Sequence, residues 1–308
     1  MTALWIAADA AFLLFIPFVL VGVINRTKAI WAGRKGPRIL QSLHDLTRLL
    51  RKRSVYSAVT TAVFRTAPLV ALATVAVSGL VVPLLGSHPP LAFRYDFVAL
   101  AYLWGLGRIA LMLGALDTGS PFEGMGASRE ATFGALVEPA LFLLLGALAA
   151  ASGHDSLAEL LRLGMRSPAE ATLTLAAVAA LVVILQVEGA RVPVDDPSTH
   201  LELTMVHEVM ILDHSGPDLA ALEYAAAMKL TLCAALIATL LNPFAQGGGW
   251  IAAAINVALT LAVGVVIGFV ESLVARLQLR AVPQYVAVAV VAGFTALLAL
   301  AWRQGSVG

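Results

Sequence analysis

The chain has 308 residues, of which 60% are hydrophobic and 13% charged, with a formal net charge of +1 and a mean hydropathy of +0.89. Soluble domains carry about 25% charged residues, so a water-soluble enzyme and an intrinsically disordered chain are both excluded, and an all-α polytopic membrane protein is indicated. The single cysteine, Cys233, lies in an apolar run, which excludes an internal disulfide and any four-cysteine zinc or iron–sulfur site held by this chain alone.

A bilayer core of about 30 Å takes roughly 20 apolar residues per helix. Eight spans are predicted, at 3–24, 66–86, 97–116, 131–152, 170–187, 224–241, 250–270 and 282–302. The first lacks a basic residue before Arg26, so it reads as a retained anchor and not as a cleaved signal. The second is the cleanest, without Asp, Glu, Lys or Arg from Thr66 to Phe93. Asn242-Pro243 and Gly247-Gly248-Gly249 divide the sixth from the seventh. No repeat or linker is visible, and residues 1–308 read as one integral membrane domain. Lys and Arg number 15 in the odd-numbered loops and 4 in the alternate loops and C-terminus. That asymmetry places the odd loops in the cytoplasm and both termini outside, in the cell inner (cytoplasmic) membrane.

Two loops on the predicted cytoplasmic face have opposite sign. Residues 25–65 carry ten basic residues and one acid, Asp45, whereas residues 188–224 carry eight acids and one base, Arg191. The first loop reads either as a topology signal touching anionic lipid or as half of a docking surface. In the second reading it joins the acidic loop or a soluble partner through Arg34, Lys35, Arg38, Asp45, Glu123, Asp196 and Asp213. After Gly33–Arg38, the apolar residues Ile39, Leu40, Leu43, Leu46, Leu49 and Leu50 recur at helical spacing, which predicts an amphipathic surface helix over 39–50. The Gly-rich stretch 119–126 predicts a shaped turn ahead of the fourth span. In the acidic loop His200, His207 and His214 recur every seven residues, and Ile211 stands where an HExxH motif needs its second histidine. These histidines read as solvated or partner-contacting, and no metal site is expected.

Ionisable groups at membrane depth are costly, about 2.5–3.5 kcal/mol each on the insertion scale, and usually mark function. Arg108 lies nine residues before Asp117, and Glu138 eight residues after Glu130, so the two are level and can pair across neighbouring helices. The pair reads as a packing device or as a carboxylate on a proton or quinone path. Glu188 and Lys229 are placed near the cytoplasmic surface, and Asp9 near the outer end of the first span. Acids entering from one side describe a vestibule, not a complete channel.

Gly36-Pro37, Gln41, Asp45 and Leu49-Leu50 resemble the first loop of the complex I subunit 1 superfamily. Arg129 with Glu138, the segment Glu188-Gly-Ala-Arg191-Val-Pro193-Val-Asp195, and His214-Ser215-Gly216 are similar to further motifs of that superfamily. GSPFEGMGASRE and the run from Arg191 through Lys229 resemble one branch of it, the membrane subunits of energy-linked [NiFe]-hydrogenases of formate hydrogenlyase subunit 4 and hydrogenase-4 component C type. Respiratory members carry three alternating carboxylates where this chain has Ser198, His200 and Glu202. The resemblance implies eight membrane helices and a non-catalytic subunit of an electron-transport complex. It places the [NiFe] centre and iron–sulfur clusters on partner large and small subunits, beside antiporter-like membrane subunits, with no cofactor on this chain and no nucleic-acid partner. It further implies proton or ion coupling through Glu138, Glu188 and Arg191, then Arg129, Glu130, Asp195, Glu202 and Glu208, with Arg108 tuning the vestibule. Two alternatives stay open: a quinone-chamber subunit of a complex I-like respiratory dehydrogenase, and a stand-alone transporter.

Overall fold

A computed structural model describes residues 3–86, 89–163, 167–195 and 205–305, with side chains to 298. The calls on Asp196, His200 and Glu202 lie outside the described residues. The elements are α1 (Ala3–Trp31), α2 (Gln41–Leu50), α3 (Ala62–Ser78), α4 (Asp96–Asp117), α5 (Pro121–Ser152), the single turn α6 (Leu157–Leu160), α7 (Pro168–Glu188), the single turn α8 (His207–Met210), α9 (Gly216–Leu241), α10 (Gly249–Leu273), a 3-10 turn Leu279–Ala281, and α11 (Val282–Gly305). Among the described residues there is no strand. Among the described residues seven helices are long and apolar enough to cross a bilayer, and α3 is a shorter apolar helix of 17 residues. The chain is a multi-pass membrane protein.

The eighth span is therefore built differently from the continuous helix predicted over 66–86. At ~1.5 Å per residue α3 falls short of a ~30 Å core. The chain then continues from Gly79 to Gly86 as buried irregular backbone, with Val81, Val82, Leu84 and Leu85 enclosed. Such backbone is tolerated at membrane depth only when its polar groups find protein partners. Here Thr239 Oγ1 donates to Pro83 O at 3.0 Å and Asn256 Nδ2 donates to Leu84 O at 2.8 Å. Asn242 Nδ2 in turn donates to Ala252 O at 2.9 Å and to Asn256 Oδ1 at 3.3 Å.

Three helices begin or end outside their apolar runs. α1 continues to Trp31 because nothing between Asn25 and Trp31 breaks a helix. α5 begins at Pro121, so the stretch read as a shaped turn is mostly its first turns, with Pro at the start where its missing N–H costs nothing. Likewise, Gly216-Pro217 opens α9 eight residues before the predicted span.

Packing places α9 at the centre, against α1, α3, α7 and α10, with α4 on α3 and α5, and α11 on α7 and α5. The amphipathic α2 lies across α1 and α9. Ser42 Oγ donates to Phe18 O, and a Cβ on Gly22 would lie 1.9 Å from Ile39 O, so only glycine lets the surface segment sit this close. The connections 32–61, 118–120 and 274–281 and the described residues 189–195 and 205–215 share one end of the bundle, called here the basic-loop end.

Candidate functional site

At the basic-loop end the loops of opposite sign are joined to each other. Tyr56 Oη donates to Asp218 Oδ2 at 2.7 Å, Val55 N donates to Ser215 Oγ at 2.9 Å, and Gly216 lies against the backbone of Arg53 and Ser54. Arg34, Lys35 and Arg38 are exposed, Asp213 is exposed, and Asp45 is half-buried with an Arg48 contact at 3.1 Å. Glu123 is turned inward instead, 1% exposed, accepting from Asp213 N at 3.1 Å. It fastens the acidic loop to α5 and presents no carboxylate to a partner.

Asp195 organises the same loop from within. It is buried, pairs with Arg276 at 2.9 Å, and accepts from Val206 N and His207 N at 3.0 and 3.1 Å. Arg129 Nη1 donates to Met205 O at 2.7 Å. Arg191 and Lys28 approach the buried Glu271 at 3.5 and 3.6 Å. His214 is not solvated as expected. It is 4% exposed and stacks on Phe64 with ring centroids 3.9 Å apart and planes 1° from parallel. Burial holds its imidazole down to about 4, against the pull of Asp218 and Asp213. Burial likewise lowers His207 and raises Glu208, its neighbour in the chain.

Inside the bundle the predicted pair of Arg108 and Glu138 exists, as part of a larger cluster. The Arg108 guanidinium is 5% exposed and meets three carboxylates: Glu130 at 3.1 Å, Glu138, and Glu188. Glu188 also pairs with Lys229, whose ammonium lies 5.6 Å from the centre of the Trp104 ring. Three acids face two cations, drawn from α4, α5, α7 and α9. Lys229 is thirteen residues into α9, ~20 Å along it, and is not the snorkelling surface residue that the apolar run suggested. Gly134 makes the geometry possible: a Cβ there would lie 2.5 Å from Arg108 Nη1.

A cavity of about 60 Å³ borders this cluster, lined by Arg108, Glu130, Glu188, Lys229, Trp104 and Thr74 among others. Trp104 Nε1, on its wall, is buried without a hydrogen-bond partner. A second cavity of about 300 Å³ lies between α1, α2 and α9, with Arg191, Glu208 and Glu271 on its polar side. Gly189, Ala190, His207 and Ala226 line both. The structure thus brings Arg108, Glu130, Glu138 and Glu188 into one cluster, sets Arg191 and Glu208 at the neighbouring cavity, and leaves Arg129 and Asp195 in the loop scaffold. Sequence reasoning missed Lys229 as a member. The signal was its 13-residue offset from Gly216-Pro217, once those residues are read as a helix start.

Among the described residues no group of three or more His, Cys, Asp or Glu is placed to hold a metal ion. The sequence model of the family described as NADH dehydrogenase matches residues 4–302. Hydrogenase-4 component C of Escherichia coli (strain K12) is 34% identical over 242 residues, 78% of this chain and 75% of that protein. Formate hydrogenlyase subunit 4 of the same organism is 28% identical over 92% of this chain and 94% of its own. Among solved structures, a chain of the membrane-bound sulfane sulfur reductase, an archaeal respiratory membrane complex, superposes with a TM-score of 0.75 over 93% of this chain and 96% of its own. At 19% identity that likeness is one of fold.

Proposed function

We propose, for a chain that belongs to the NADH dehydrogenase family and is complex I subunit 1-like, that it is the membrane anchor and proton- or ion-coupling subunit of a multisubunit membrane-bound [NiFe]-hydrogenase or formate hydrogenlyase-type complex. The observation that carries this reading is the cluster of Arg108 with Glu130, Glu138 and Glu188, joined by Lys229 and set at the last residue of α7. The acidic loop starts at the next residue. Soluble large and small subunits, holding the [NiFe] centre and the iron–sulfur clusters, dock on the loops of the basic-loop end, which faces the cytoplasm. A displacement of that loop moves the end of α7 and with it Glu188. A carboxylate that loses a cation neighbour takes up a proton, and one that gains it releases a proton. Arg108, shared among three carboxylates, converts a small shift into proton movement.

The lateral face supports a membrane partner as well. The Glu138 side chain is 43% exposed on a face that also bears Tyr102 and Phe142, whose rings are 6.3 Å apart. A partly bare carboxylate facing lipid is costly, so an antiporter-like subunit covers it and receives the charge.

Isolation of the native complex through a tag on this chain is the test of assembly, and a chain that purifies alone refutes the reading. Glu138→Gln keeps the complex assembled and abolishes ion translocation. Normal translocation in that variant reduces Glu138 to a packing residue. A quinone-chamber role is the second reading, favoured by the 300 Å³ cavity with Phe18, Val21 and Leu46 on its apolar side. A quinone photoprobe that labels these residues establishes it.

A further inference from the structure

Asp9 stands apart from the cluster. It lies in the half of α1 remote from the basic loops, is 3% exposed, and its Oδ2 is buried without a hydrogen-bond partner. One turn nearer the helix end, Trp5 stacks on Trp250 of α10 at 4.2 Å between ring centroids, as aromatic rings do at a membrane interface. On the helices against which α1 packs, the charged residues are Asp45 and Arg48 of α2, Asp218, Glu223 and Lys229 of α9, and Glu271 of α10. Arg65 is the charge on α3. None of these lies in the half that holds Asp9. An isolated buried carboxyl gains nothing structurally from its charge.

Two polar groups of α3 lead from the charged cavity toward the half of the bundle that holds Asp9. Thr74 of α3 is on the cavity wall. Ser78, one turn further and fully buried, donates its hydroxyl to Thr74 O at 2.7 Å. The helix breaks at the next residue, Gly79, where a Cβ would lie 2.4 Å from Leu13 Cδ2. Leu13 and Asp9 are one turn apart on α1, so Asp9 lies ~5.4 Å further along that helix than this contact.

We propose that Asp9 is a proton-carrying site of the remote half, loaded from the charged cavity along Thr74 and Ser78 and emptied past Trp5 and Trp250. The inference rests on the coupling reading above. In each cycle an acid of the cluster gives up one proton, the Asp9 carboxylate becomes a carboxylic acid, and release to water on the far side restores it. No electrons are transferred.

The test uses the complex purified through this chain and reconstituted in liposomes with an entrapped pH dye, with reduced viologen as electron donor. Asp9→Asn is expected to assemble and evolve hydrogen while losing proton translocation by about a hundredfold, and Asp9→Glu to restore it. An infrared carboxyl C=O band present in the parent is expected to vanish in Asp9→Asn. Parental translocation in Asp9→Asn together with a defect in Glu138→Gln overturns this inference alone. A parent that translocates nothing overturns the coupling reading beneath it. Should Asp9→Asn fail to assemble, Ser78→Ala decides: reduced translocation supports the route, and the parental rate overturns it.

Discussion

Replacing Gly134 by alanine tests whether the position of Arg108 is set by the space that this glycine leaves. The new Cβ would lie 2.5 Å from Nη1 and 3.0 Å from Cδ and Cζ. Ordinary contact begins near 3.5 Å, so the guanidinium must retreat by about 1 Å. It has no slack, being 5% exposed and held by three carboxylates on two helices. From 3.1 Å to Glu130, such a shift takes Nε out of hydrogen-bonding range. One charge-assisted hydrogen bond is worth about 1.5–3 kcal/mol, and overpacking adds about 1–3 kcal/mol, so a loss of ~2.5–6 kcal/mol follows. Gly146→Ala is the internal control, because it is on the same helix with nothing within 4 Å of its added Cβ. Helix propensity makes that change stabilising by up to ~1 kcal/mol. The assay is the fraction of detergent-solubilised protein that stays monodisperse after heating, read by fluorescence-detected gel filtration. Equal midpoints for the two variants would refute the argument.

Protein stability is expected to rise between pH 4 and pH 6.5 through His214. The unfolded chain binds a proton there that the folded site, with the imidazole held at about 4, excludes. The contribution is complete above pH 6.5 and falls by at most about 3 kcal/mol on acidification, a dependence that His214→Phe removes from the melting curve. Arg276→Ala leaves Asp195 buried without its 2.9 Å partner, at a local cost of ~3–5 kcal/mol. Limited proteolysis should then cut the segment 189–215 faster while the helices stay intact. Asn256→Leu keeps the volume and orphans the Leu84 carbonyl, so a loss of ~1–3 kcal/mol is expected in thermal unfolding.

The apolar runs made the membrane helices legible, and level counting along two of them made the Arg108–Glu138 contact legible. Hydropathy marks where lipid begins, however, and not where a helix begins. That is why α1, α5 and α9 each extend beyond their runs and why Lys229 was placed at the surface. Ser120-Pro121 and Gly216-Pro217 held the correction, since proline belongs to a first helical turn as much as to a break. Glycines in a helix start misled the reading of 119–126. Gly126 is there because its missing side chain admits Val209, whose Cγ1 is 2.4 Å from the Cβ position. The broken third helix was hidden because its irregular part is as apolar as helix, and its supports, Thr239 and Asn256, are distant in sequence. His214 could not be placed from its spacing, because it lies in a loop and its partner, Phe64, is on α3.

The turn Gly189–Ala190 is a bulkhead shared by two compartments. It cannot be relocated for one without redrawing the other. An occupant that swells the chamber under α2 therefore narrows the room around Arg108, and the two contend for the same few ångströms. Mutual exclusion between a guest in one and a guest in the other is the behaviour that such a partition imposes.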